Sequence, residues 1–121
     1  MVLILGAVGA GKREYARSLG YTEEEMSPDV FSNAPVITDL EETIRKAPDQ
    51  AETLFERLLK KDLVLCCEVG SGVIPLRRED RIFRETTGRL CVRLAKEADA
   101  VVRITAGIPM AIKGELPCRR S

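Results

Sequence analysis

The residues Gly6-Ala7-Val8-Gly9-Ala10-Gly11-Lys12-Arg13 follow directly on the apolar run Met1-Val2-Leu3-Ile4-Leu5. They match the pattern G-x-x-x-x-G-K-[ST] at every place but the last. In that pattern the glycines let backbone N–H groups turn inward around a phosphate, and the lysine reaches the outer phosphates. The terminal hydroxyl holds Mg²⁺. Arg13 stands at the hydroxyl position. A guanidinium does not ligate Mg²⁺ and brings positive charge to the metal position. It either points into solvent or contacts a phosphate. Gly6 to Arg13 therefore predict phosphate binding, with Lys12 as the principal cation, more directly than they predict catalysis.

Two carboxylates stand where chemistry is expected. Asp39 ends the short apolar segment Val36-Ile37-Thr38. It reads either as the acid that organises Mg²⁺ or as a cap for the helix that follows, and the roles are compatible. Glu68 closes the most apolar segment of the chain, Leu63-Val64-Leu65-Cys66-Cys67, and opens the glycine-rich stretch Val69–Pro75. A carboxylate so placed reads as a catalytic or substrate-positioning group, against the simpler alternative of a surface acid. Arg77, Arg78, Arg81 and Arg84 alternate with Glu79, Asp80 and Glu85, as on a solvated helix face.

Positioning these residues requires strands that alternate with helices. Met1–Leu5 reads as a buried strand, and a helix runs from about Gly11 to Ser18 or Leu19, stopped by Gly20. Residues 21–34 read as an exposed connection, and Val36–Asp39 as a second strand. Leu40–Lys46 and Asp49–Lys61 read as helix interrupted at Pro48. Asp62–Cys67 is a third strand, followed by a long helix from Arg78 to Ala98. Its inner stripe is Ile82, Phe83, Thr86, Leu90, Cys91, Leu94 and Ala98. Ala100–Thr105 is a fourth strand, Gly107-Ile108-Pro109 a turn, and Met110–Lys113 a short edge strand. The alternation predicts a mostly parallel sheet covered on both faces, in one α/β domain over residues 1–121. Ligands of such sheets bind beyond the carboxyl ends of the strands. Gly6–Arg13, Asp39, Glu68–Pro75 and Ala106–Pro109 all fall there.

Composition narrows the partners. Nineteen Lys and Arg balance nineteen Asp and Glu, so no net field draws the chain to nucleic acid or anionic lipid. Tryptophan is absent, which removes the usual stacking platform for single strands. No apolar run is long enough to span a membrane, and the short N-terminal run lacks a basic leader. Cys66, Cys67, Cys91 and Cys118 follow neither a zinc nor a disulfide spacing, which suits reduced thiols and a cytoplasmic setting. The chain has no histidine. Histidine bases, ligands and phosphohistidine intermediates are thereby excluded.

Glu68-Val69-Gly70-Ser71-Gly72-Val73-Ile74-Pro75, with Gly88-Arg89-Leu90, Ala95–Asp99 and Thr105-Ala106-Gly107-Ile108-Pro109, carries a family resemblance. These segments resemble the E-V-G-x-G-[IV]-[VI]-P loop, G-R-[LV] helix, A-x-x-A-D segment and G-I-P turn of the bifunctional adenosylcobinamide kinase/adenosylcobinamide-phosphate guanylyltransferase family. The resemblance covers the first twenty residues and the stretch from Leu63 to Gly114. It implies a three-layer, P-loop NTPase-like α/β fold and a role in cobalamin biosynthesis. The implied activity is phosphorylation of the aminopropanol hydroxyl of a corrinoid by ATP or GTP with Mg²⁺. By position, Gly6–Lys12 would cradle the phosphates, and Asp39 would match the acid opening the family's D-C-L-T-L-W segment, where this chain continues Leu40-Glu41-Glu42. The family's guanylylated histidine lies between its first helix and that acid, an interval here limited to residues 20–38. The resemblance thus implies a kinase-like member without the guanylyltransferase step. In such a member Lys12, Asp39 and Glu68 would be the catalytic residues and Asp39 the metal ligand. The alternative is a degenerate nucleotide- or corrinoid-binding module acting through a partner. Self-association is also implied, with Val73-Ile74 suited to an interface.

Overall fold

The computed structural model describes residues 1–68 and 78–120. The stretch Val69–Arg77, which holds most of the glycine-rich loop, lies outside the described residues, as do the expectations placed on Val73-Ile74 and Arg77.

Six strands form one sheet in the order β2-β3-β4-β1-β5-β6. They are β1 (Val2–Gly6), β2 (Met26–Ser27), β3 (Val36–Ile37), β4 (Leu63–Cys67), β5 (Ala100–Thr105) and β6 (Ile108–Lys113). All pairings are parallel except β5 with β6. The helices are α1 (Lys12–Ser18), α2 (Leu40–Lys46), α3 (Ala51–Leu58) and α4 (Arg78–Glu97). This is the three-layer α/β arrangement. Leu3, Ile37, Val64 and Cys66 face one side, packed against Leu40, Ile44, Leu54, Leu58, Leu90 and Leu94 of α2, α3 and α4. Ile4, Val36, Leu63 and Leu65 face the other, covered by Ala16 and Leu19 at α1. The continuous apolar runs of β1 and β4 follow from this, because central parallel strands are buried on both faces.

Four local expectations are corrected. Residues 21–34 are not wholly an exposed connection. They hold a 3-10 turn at Glu23–Glu25 and the edge strand β2, and bury Met26 and Val30. The turn is fixed by a capping box, in which the Thr22 side chain and backbone N–H both meet Glu25. On α4, Ile82 is exposed and Thr87, rather than Thr86, is fully buried, so the inner stripe runs Phe83, Thr87, Leu90, Leu94. The hairpin after β5 turns at Ala106-Gly107, both at positive φ, not at Gly107–Pro109. Pro109 lies inside β6, tolerated because β6 is an edge strand. Finally, β3 ends at Ile37, and Asp39 takes a left-handed conformation (φ 52°) as the residue before α2.

Candidate functional site

Gly6, Asp39, Glu68 and Ala106 gather at the carboxyl ends of β1, β3, β4 and β5, as the alternating pattern requires. The loop from Gly6 to Gly11 is tied at three points. The Gly6 carbonyl accepts from the Glu68 N–H at 3.1 Å, the Ala10 carbonyl from the Gly107 N–H at 2.9 Å, and the Ala7 carbonyl from the Ala10 N–H at 3.1 Å. Gly9 and Gly11 both sit at positive φ, 78° and 102°, where other residues are strained. Among the described residues, the amides of Gly9 and Gly11 donate to no backbone carbonyl.

Lys12 folds back over this loop. Its Nζ donates to the Gly6 carbonyl at 2.8 Å and to the Ala7 carbonyl at 3.0 Å. The ammonium is thus held at the loop, where an anion would meet it.

Arg13 does something the sequence left open. It neither points free into solvent nor turns to the loop. Its Nη2 lies 3.2 Å from Glu23 Oε2 and its Nη1 3.8 Å from Asp39 Oδ2. Glu23 is also paired with Arg17. The guanidiniums of Arg13 and Arg17, bonding its carboxylate, hold Glu23 below its ordinary range. Asp39 occupies the N-cap position of α2 but makes no side-chain capping hydrogen bond; its carboxylate is turned to Arg13.

The family resemblance implies Mg²⁺ between position 13 and Asp39, and the residues present do not fit it. The hydroxyl ligand is replaced by a cation, and the Asp39 carboxylate faces that cation. Among the described residues no group of three or more Cys, Asp or Glu side chains is arranged to hold a metal ion.

Glu68 is partly buried and pairs with Arg103 on β5, Nε to Oε1 at 3.0 Å. The neighbouring Cys67 N–H donates to Glu41 Oε1 at 2.8 Å, which fastens the first turn of α2 to the end of β4. Glu23, Glu41 and Arg103 were not singled out from sequence. A lone arginine between Val102 and Ile104 in an otherwise apolar strand was the available signal for the last. Beside the loop lies a groove of about 560 Å³ lined by Gly9, Gly11, Tyr15, Ser18, Gly107 and Pro109, among others.

The four cysteines are free, and Cys66 and Cys91 bring their sulfurs to 3.8 Å. That contact, together with burial, pushes the Cys66 thiol well up. Cys66 is a core thiol with the partly buried Cys91 packed against it, whereas Cys67 is half-buried and Cys118 exposed.

The cobinamide kinase / cobinamide phosphate guanyltransferase family model matches residues 30–112. The chain belongs to this family. The match takes in Asp39 and Glu68, while Gly6–Arg13 precede it. The bifunctional adenosylcobalamin biosynthesis protein CobU of Salmonella typhimurium is 34% identical over 84 residues, covering 67% of this chain and 46% of that protein. The chain thus spans about half the length of the curated relative it matches. The cobinamide kinase / cobinamide phosphate guanyltransferase family is an enzyme family of cobalamin biosynthesis. Among the described residues no helix is long and apolar enough to cross a membrane.

Proposed function

We propose that this chain binds ATP or GTP at Gly6–Lys12 and transfers the terminal phosphoryl group to a corrinoid aminopropanol hydroxyl. The observation that carries this reading is the loop itself, with Lys12 Nζ held 2.8 Å from the Gly6 carbonyl beside glycine amides that, among the described residues, donate to no backbone carbonyl. Family membership supports a corrinoid as the acceptor. In the step, the hydroxyl oxygen attacks the γ-phosphorus, the bond to the β–γ bridging oxygen breaks, and the nucleoside diphosphate leaves. Lys12 offsets charge on the phosphates, Glu68 takes the hydroxyl proton, and Arg103 holds Glu68 in place. The groove beside Tyr15 and Pro109 is of a size for the nucleoside. With no histidine in the chain, the guanylyltransferase step by a histidine intermediate is not part of this proposal.

The pairing of Arg13 with Asp39 favours a second reading, a catalytically inert relative that binds a nucleotide or corrinoid and acts through a partner. Incubating purified chain with ATP or GTP and cobinamide separates the two. The kinase reading expects phosphorylated corrinoid and nucleoside diphosphate in equal amounts. Nucleotide-dependent thermal stabilisation with no product, beside an active family member, refutes the kinase and leaves the binder.

A further inference from the structure

The cation beside Asp39 is the protein's own. Arg13 reaches Asp39 at 3.8 Å and Glu23 at 3.2 Å, and its side chain is half exposed. A divalent cation shared by position 13 and Asp39 needs an oxygen at the first and an unengaged carboxylate at the second. This chain offers a guanidinium at one and that guanidinium's partner at the other.

Charge makes the exchange workable. In a loop that relies on Mg²⁺, removing the metal leaves a polyphosphate facing a bare acid. Here Arg13 offsets Asp39, and Lys12 adds a second positive charge at the loop. A guanidinium is planar and weakly hydrated, and its fork of donors matches phosphate oxygens in pairs. Exposed ion pairs are weak, so Arg13 can exchange Glu23 for a stronger anion. Glu23 is not stranded by that move, because Arg17 remains paired with it.

We propose that Arg13 replaces the divalent cation, so that the Gly6–Lys12 loop takes polyphosphates in their metal-free form. This rests on the nucleotide-binding reading above.

Calorimetric titration with ATP, and separately with inorganic tripolyphosphate, tests it in EDTA and in excess Mg²⁺. Both anions bind in EDTA, with affinities within about threefold of those in Mg²⁺. Arg13→Ser weakens binding in EDTA by about tenfold or more and makes it rise with Mg²⁺. Arg13 is a surface side chain, so the variant folds. Wild-type binding that requires Mg²⁺, or an Arg13→Ser variant as tight as wild type in EDTA, overturns the inference and leaves the nucleotide reading standing. Absence of binding by both anions in both buffers overturns the nucleotide reading, and this inference with it.

Discussion

Lys12 and Gly6 are joined by a 2.8 Å hydrogen bond from ammonium to carbonyl that spans the whole glycine loop. The same carbonyl accepts the Glu68 N–H, so the loop's cation and the candidate base meet at one backbone group. A change at either end of that link should therefore be felt at the ligand.

Lys12→Ala removes the ammonium but keeps the loop's glycines and its three backbone ties. Charge-assisted hydrogen bonds contribute about 1.5–3 kcal/mol each. ATP affinity should fall about tenfold to a hundredfold by calorimetry. The melting temperature without ligand should change little, since the side chain covers the site rather than the core.

Alanine at Gly6 and at Gly88 should have opposite effects on stability. A Cβ at Gly6 would lie 2.9 Å from the Ile104 carbonyl oxygen, a backbone atom that cannot turn aside. Gly6→Ala should cost about 1–3 kcal/mol, seen as a lower urea midpoint. Gly88 sits within α4, and a Cβ there meets nothing within 4 Å. Gly88→Ala should stabilise by about 0.4–1 kcal/mol by lowering the entropy of the unfolded chain.

Glu23 supplies a pH signature of Arg13. Its folded value lies below the ordinary 4.5, held there first by the hydrogen bond from Arg13. The pair's contribution is complete above about pH 4.5 and is lost as pH falls through the lower folded value. A carboxyl carbon NMR titration should show Glu23 moving up toward 4.5 in Arg13→Ser, with Arg17 preventing full recovery. An unchanged titration would place Arg13 away from Glu23.

The parts of the fold legible in the sequence were those with long, one-signed patterns. Leu3-Ile4-Leu5 and Leu63–Cys66 are continuous apolar runs because both strands are covered on both faces. The Gly9 and Gly11 positions announced a turn only glycine forms easily. β2 was hidden because a two-residue strand has no period to read. The capping box Thr22-Glu23-Glu24-Glu25 was a readable signal beside it. β6 starts at Ile108, earlier than its pattern suggests, because Pro109 argues against a strand unless the strand is known to be an edge.

The site was legible in its members and not in its pairings. Spacing singled out Lys12, Arg13, Asp39 and Glu68, and the sheet order brings their elements to one edge. Arg13 with Asp39, and Glu68 with Arg103, join residues 26 and 35 positions apart. Such pairings follow from strand order and from where the turn at Glu23 returns to α1, which no local pattern encodes.

The nucleotide reading rests on Gly6–Lys12 acting as a polyphosphate cradle. Its most direct test is a ¹H–¹⁵N amide titration of the chain with ATP. Saturable shifts led by the amides of Val8, Gly9, Gly11 and Lys12 are expected, reproduced by inorganic tripolyphosphate and moved to about tenfold to a hundredfold higher ligand concentration in Lys12→Ala. Loop amides that stay fixed while ATP saturates another surface would contradict it.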